Sequence, residues 1–180
     1  MKVVVVYESM FGSTGIIGEA IAEGLREAGD VRVGTVDDVS PDDVRDASLL
    51  VAGGPTHSRG MAKADARGSI SKGKAFAKYG PVLAGRESLD GWLERLPAGD
   101  ATVVTFDTRF DRAAWLTGSA AKEIARRLGG KGYPVAEQRS FFVRSTGGPL
   151  ADGERERAVA WGRELAADRS QVRGSADLAR

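Results

Sequence analysis

Two hydrophobic rhythms alternate along the chain. Val3 to Val6, ending at Tyr7, is apolar on both faces, the pattern of a buried parallel strand, and Ala101 to Phe106 repeats it. Val31 to Val36, Ser48 to Ala52 and a stretch within Val135 to Val143 read as three more strands. Between them the period changes to that of a helix. Ile17, Ala20, Ile21, Gly24, Leu25 and Ala28 share one face, and Gly29-Asp30 stops it. Ser40 caps a short turn with Pro41 at its first position. Leu89, Trp92, Leu93 and Leu96 follow i, i+3, i+4, i+7 spacing. Thr117 or Ser119 caps a helix that turns Ala121, Ile124, Ala125 and Leu128 inward and closes at Gly129-Gly130. A last helix, about Gly153 to Ala167, packs Ala158, Trp161 and Leu165, and residues 169–180 read as a polar, frayed tail.

Strands that alternate with helices imply a parallel sheet covered on both faces. The expected fold is α/β: a three-layer, doubly wound sandwich on a five-stranded parallel sheet of order 2-1-3-4-5. Residues 1–168 make one domain. The connection 54–100 is longer than one crossover needs, and its first part, about 59–87, reads as an insert. Trp92 and Trp161 lie on apolar helix faces and are expected in the core.

Composition narrows the chemistry. With 180 residues the chain can bury a core without staples. There is no cysteine, which removes disulfides, thiolate metal sites and thiol nucleophiles. The single histidine, His57, precludes a multi-histidine metal site, so no metal is expected. The balance of 26 basic and 25 acidic residues gives no overall field toward nucleic acid. The longest apolar run is far short of the ~20 residues that cross a bilayer. The chain is expected to be soluble and cytoplasmic.

In a sheet of this order, ligands bind beyond the carboxyl ends of the strands, between the first and third. Three loops should converge there: 8–14, 53–60 and 107–116. The first sets Ser9, Gly12, Ser13 and Thr14 at a helix N-terminus, where N–H groups and the helix dipole favour an anion. It has no lysine and no G-x-x-x-x-G-K-[ST], which disfavours a nucleoside triphosphate. No G-x-G-x-x-G follows a strand, which disfavours a dinucleotide. A monophosphate held by neutral donors fits better, beside the plainer reading of an ordinary helix cap.

The segment Tyr7-Glu8-Ser9-Met10-Phe11-Gly12-Ser13-Thr14 resembles the phosphate loop of the flavodoxin family, whose usual pattern is [ST]-x-T-G-x-T. Ser9, Gly12 and Thr14 match; Phe11 replaces the middle threonine, and Ser13 can substitute. Gly53-Gly54-Pro55-Thr56-His57 resembles that family's second flavin loop, and Asp107-Thr108-Arg109-Phe110 its third. The resemblance implies a flavodoxin-like fold and flavin mononucleotide (FMN) as cofactor. The implied contacts are Ser9, Met10, Phe11, Gly12, Ser13 and Thr14, then Gly54, Pro55, Thr56 and His57. Asp107, Thr108, Arg109, Phe110 and Trp115 complete the set.

Some roles stay open. The second loop offers His57 and Met61 where flavodoxins often carry tryptophan. His57 is either a loop residue bonded to backbone or a proton donor at the flavin edge. Arg109 either pairs with Asp107 or Asp111, or lies over the flavin's pyrimidine end and raises its two-electron potential. Trp115 either stacks on the ring or packs beneath the loop. The implied function is electron transfer or two-electron reduction of a small acceptor, as a carrier or as an FMN-dependent oxidoreductase. The alternative is a flavodoxin-fold interaction module that has lost the flavin. Between Arg59 and Glu87 seven basic residues face two acidic ones, a local +5 in a chain of +1. That rim suits an acidic redox partner or a nicotinamide donor's phosphates.

Overall fold

The structure, a computed structural model, describes residues 1–57, 60–61, 85–112, 118–145 and 147–177, with the backbone alone for 169–177. Its strands are β1 (Lys2–Tyr7), β2 (Asp30–Thr35), β3 (Leu49–His57), β4 (Gly60–Met61), β5 (Thr102–Phe110) and β6 (Val135–Val143). Its helices are α1 (Ser13–Leu25), α2 (Leu89–Arg95), α3 (Ala120–Gly130) and α4 (Glu154–Asp177). The sheet runs β2-β1-β3-β5-β6, all parallel, and the two-residue β4 pairs back antiparallel onto the end of β3. With β4 set aside, this is the doubly wound order that the alternation implies.

Each sheet face buries its own core. Val4, Val6, Leu50, Ala52 and Val103 pack against Leu89, Trp92 and Leu93 of α2 and Ile124 and Leu128 of α3. Val3, Val5, Leu49, Val51, Val104 and Phe106 pack against Ile17, Ile21 and Leu25 of α1 and Ala158, Trp161 and Leu165 of α4. Trp92 and Trp161 are both fully buried, as their helical spacing implies. Trp92 donates its indole N–H to the Val39 carbonyl at 2.6 Å, and Trp161 donates to Glu137 Oε2 at 3.0 Å. A buried indole N–H therefore keeps a partner on each side. Ser40 and Pro41 open a 3₁₀ turn over Pro41–Val44, closed reciprocally by Asp43 in a capping box.

Several boundaries differ from the sequence reading. Gly53 to His57 looks like a strand breaker by sequence, yet β3 runs through it. Gly53, Gly54 and Pro55 pair in register with Phe106, Asp107 and Thr108 of β5, and Thr56 and His57 pair with β4. Asp107 to Phe110, expected as loop, continues β5, because β6 pairs with it as far as Phe110↔Val143. Helix α3 ends at Gly130, as the Gly129-Gly130 pair implies, but both glycines are helical and the left-handed glycine after it is Gly132, at φ 93°. Helix α4 does not end at Ala167 but continues to Asp177, through most of the expected tail. The insert falls largely outside the described residues, as does Trp115.

Candidate functional site

Three strands overshoot β1 at the carboxyl edge and form a ledge: β3 to His57, β5 to Phe110 and β6 to Val143. The expected crevice lies where β1 stops and β3 goes on. On the α1 side, Gly12 precedes the helix with φ 94°, a left-handed conformation that favours glycine, and no side chain caps the helix there. Ser9 reaches round instead, its Oγ accepting the Gly15 N–H at 3.1 Å. The first-turn N–H groups of Ser13 and Thr14 have no preceding turn to bond to. Glycine at the entry and free first-turn donors make a cradle suited to a small anion.

The hydroxyls of this loop are already in use. Thr14 Oγ1 and Thr108 Oγ1 lie 2.7 Å apart, both buried, fixing the start of α1 against the end of β5. Ser13 donates to the Gly148 carbonyl at 2.9 Å. That contact brings in a loop the sequence reading missed, between β6 and α4, with Gly147 at φ 65°. A hydroxyl that donates to a carbonyl has only acceptor capacity left. Ser9, which accepts from Gly15, keeps its proton and remains a donor. Donation to an anion thus falls to Ser9, the first-turn N–H groups and one hydroxyl of the threonine pair. Of the other expected contacts, Met10 is buried at 3% exposure, while Phe11 is half-buried.

On the α2 and α3 side the ledge is held by two buried carboxylates. Glu8, just past β1, accepts the Leu89 N–H at the start of α2 through Oε2 at 2.9 Å. Asp107 has no exposed surface. Its Oδ2 accepts from Ser119 Oγ at 2.6 Å, Thr56 Oγ1 at 2.9 Å and the Ala121 N–H at 3.1 Å. Thr56 Oγ1 in turn accepts the Ala120 N–H at 2.9 Å. Asp107 was expected to contact a ligand; as a fully buried residue it supports the wall from behind. Met61 is likewise turned into the α2/α3 core rather than toward the crevice.

Gly54, Pro55, Thr56 and His57 form that wall; Gly54 is buried, the other three half-buried. Arg109 leans away toward β6. Its Nε donates to Ser140 Oγ at 3.0 Å, its guanidinium lies 5.2 Å from the Phe142 ring centre, and Nε sits 3.9 Å from Asp107 Oδ1. Phe110, at the ledge tip, is 39% exposed, one of two large apolar side chains so exposed among the described residues; the other is Ile16, in the first turn of α1. Among the described residues no cluster of ligating side chains could hold a metal ion, and no helix is long and apolar enough to cross a membrane.

Comparison with known proteins agrees with this architecture. The family model described as Flavodoxin matches residues 5–105, from β1 into β5. Among solved structures, oxidised Flavodoxin 1 from Bacillus cereus is 16% identical, with a TM-score of 0.65, covering 93% of this chain and 98% of that one. An archaeal flavodoxin is 19% identical with a TM-score of 0.60, over 93% and 98%. A WrbA-like flavodoxin from Agrobacterium tumefaciens is 18% identical with a TM-score of 0.57, over 94% and 98%. No curated protein matches the chain.

Proposed function

This chain belongs to the flavodoxin family, and from that premise we propose that it binds FMN at the carboxyl edge of its sheet and works in electron transfer or two-electron reduction. The observation that carries this reading is the uncapped start of α1. Gly12 at positive φ, Ser9 Oγ and the first-turn N–H groups offer neutral donors to a phosphate. The contacts proposed are the 9–14 loop for the phosphate and Gly54 to His57 for the ring. Thr108 and Phe110 serve from the β5 ledge, and Asp107 and Arg109 act from behind it. When bound, FMN supplies the redox chemistry; the protein supplies binding, orientation and electrostatics. The ledge excludes water from one side of the crevice, and the half-buried His57 stands at its rim. The donor and acceptor are proposed to be a nicotinamide or protein donor and a small acceptor, in the cytoplasm.

Calorimetric titration with FMN and with riboflavin tests the proposal. A phosphate held by three or more donors, at roughly 1 kcal/mol or more each, should make FMN bind at least about a hundredfold tighter. Equal affinities would refute the phosphate site. Binding of neither would favour an interaction module without flavin.

A further inference from the structure

Asp107 lies in a strand that looks, by sequence, like a ligand loop, yet its carboxylate is sealed from any ligand. We propose that Asp107 is a positioning residue: it latches the Gly53–His57 wall to the start of α3, and its fixed charge holds down the reduction potential of the bound flavin. The second half rests on the FMN reading; the first does not.

The latch follows from the bonds. One oxygen gathers three donors from two segments: Thr56 at the end of β3, and the cap Ser119 and first-turn Ala121 at the start of α3. Thr56 closes the circuit by accepting from Ala120. Ser119 also accepts the Lys122 N–H at 3.3 Å, so the same cap serves helix and latch. Hydrogen bonds to an ionised acceptor are stronger than neutral ones, and removing the acceptor strands buried donors. Thr56 is thus tied to α3 twice, directly through Ala120 and indirectly through Asp107, and it stands between Gly54-Pro55 and His57. The wall's placement therefore depends on a side chain it conceals.

The charge follows from burial. Oδ1 makes no hydrogen bond within the described residues. The nearby cation, Arg109, stands 3.9 Å off and gives its Nε–H to Ser140. The N-terminus of α3 stabilises the carboxylate without cancelling its field. Glu8 adds a second buried carboxylate on the same side of the sheet. Two buried carboxylates thus stand at the ligand edge of a chain whose net charge is +1. Reduction adds electrons to the flavin ring, and a fixed negative charge in a low-dielectric wall opposes that.

The experiment compares the full chain with Asp107→Asn, which keeps shape and one acceptor oxygen but loses the charge, and Thr56→Val, which keeps the charge but loses the latch. Amide hydrogen exchange on the flavin-free proteins is the first readout. Exchange across Gly53–His57 should quicken by roughly tenfold in both variants. Unchanged exchange in Thr56→Val overturns the latch, whether or not flavin binds and whether or not Asp107→Asn folds. The second readout is the two-electron potential of the FMN-loaded proteins. Asp107→Asn should favour the reduced form about tenfold, ~30 mV upward. Arg109→Gln, which bares the Asp107 charge, should move it downward. A potential unmoved by both charge changes overturns the second half. Failure of the wild type to bind FMN would instead refute the proposed function and leave the exchange result to decide the latch.

Discussion

Gly53 is where fold and site press hardest on one another, and Gly53→Ala should show it. A β-carbon there would fall 2.2–2.4 Å from three atoms of the Phe106 ring. Ordinary carbon contacts lie at about 3.5–4.0 Å, so the ring would have to retreat by more than an ångström. It has little room. Phe106 is fully buried and meets Phe141 edge-on at 6.4 Å, and Phe141 packs on Trp161 at 5.9 Å. Overpacking of this kind costs about 1–3 kcal/mol. The loss of glycine's unfolded-state freedom returns about 0.4–1 kcal/mol. A net loss of about 1.5 kcal/mol should lower the melting temperature by roughly 3–6 °C at this chain length. The decisive assay is a double-mutant cycle with Phe106→Leu, read by urea unfolding. With the ring trimmed, the Gly53→Ala change should cost under about 0.5 kcal/mol, giving a coupling of at least ~1 kcal/mol. Additive losses would mean that Phe106 is not why position 53 is glycine.

Two further outcomes follow from packing and titration. Gly24→Ala would set a β-carbon 2.2 Å from the Val159 carbonyl oxygen and 2.8 Å from the Arg163 nitrogen, where α1 meets α4. Backbone cannot rotate aside, so calorimetry should show a loss of about 3 kcal/mol, larger than for Gly53→Ala. Burial and the Glu19 carboxylate push the Tyr7 phenol up to about 12 from 10.0. The unfolded chain gives up that proton first, so the Tyr7 share of stability is whole below pH 10 and is lost as pH rises from 10 to 12. Phenolate absorbance should show the latest-titrating tyrosine vanish in Tyr7→Phe, while Tyr133, also raised by burial, remains.

The sheet order and the two cores were legible because periodicity reports which faces are buried. Val3 to Val6 and the α2 spacing of Leu89, Trp92, Leu93 and Leu96 could hardly lie elsewhere. The carboxyl edge was not legible. Gly53-Gly54-Pro55 looks like a strand breaker, and what makes it strand is a partner some fifty residues on, whose Phe106 ring fits only over a glycine. Asp107 looks like a surface turn residue until α3 begins directly above it. The Ser13–Gly148 bond joins positions 135 apart, and no local pattern announces it. The only available hint was the Gly147-Gly148-Pro149 turn just before the last helix. Long-range pairing, not propensity, decided each of these.

The internal hydroxyl bonds change how a ligand must be held. A loop of free hydroxyls would have to be ordered on binding, at a cost in side-chain entropy. Here Thr14 is tied to Thr108 and Ser13 to Gly148, so the start of α1 is braced against β5 and the β6–α4 loop before anything binds. Ser9 and the first-turn N–H groups are the donors still available, and they stand on a helix whose dipole already points the right way. The same bracing explains how Phe11 can occupy the position of a missing threonine. The hydroxyl lost there is one donor among several, and the backbone that carries the others is fixed from two sides. An anion bound in such a cradle needs no lysine or arginine, and no basic side chain lies within the 9–14 loop. Charge is instead set from beneath, by Glu8 and Asp107 under the ledge. If FMN binds as proposed, affinity for its phosphate and control of its redox group fall to opposite faces of one sheet, where each can change without the other.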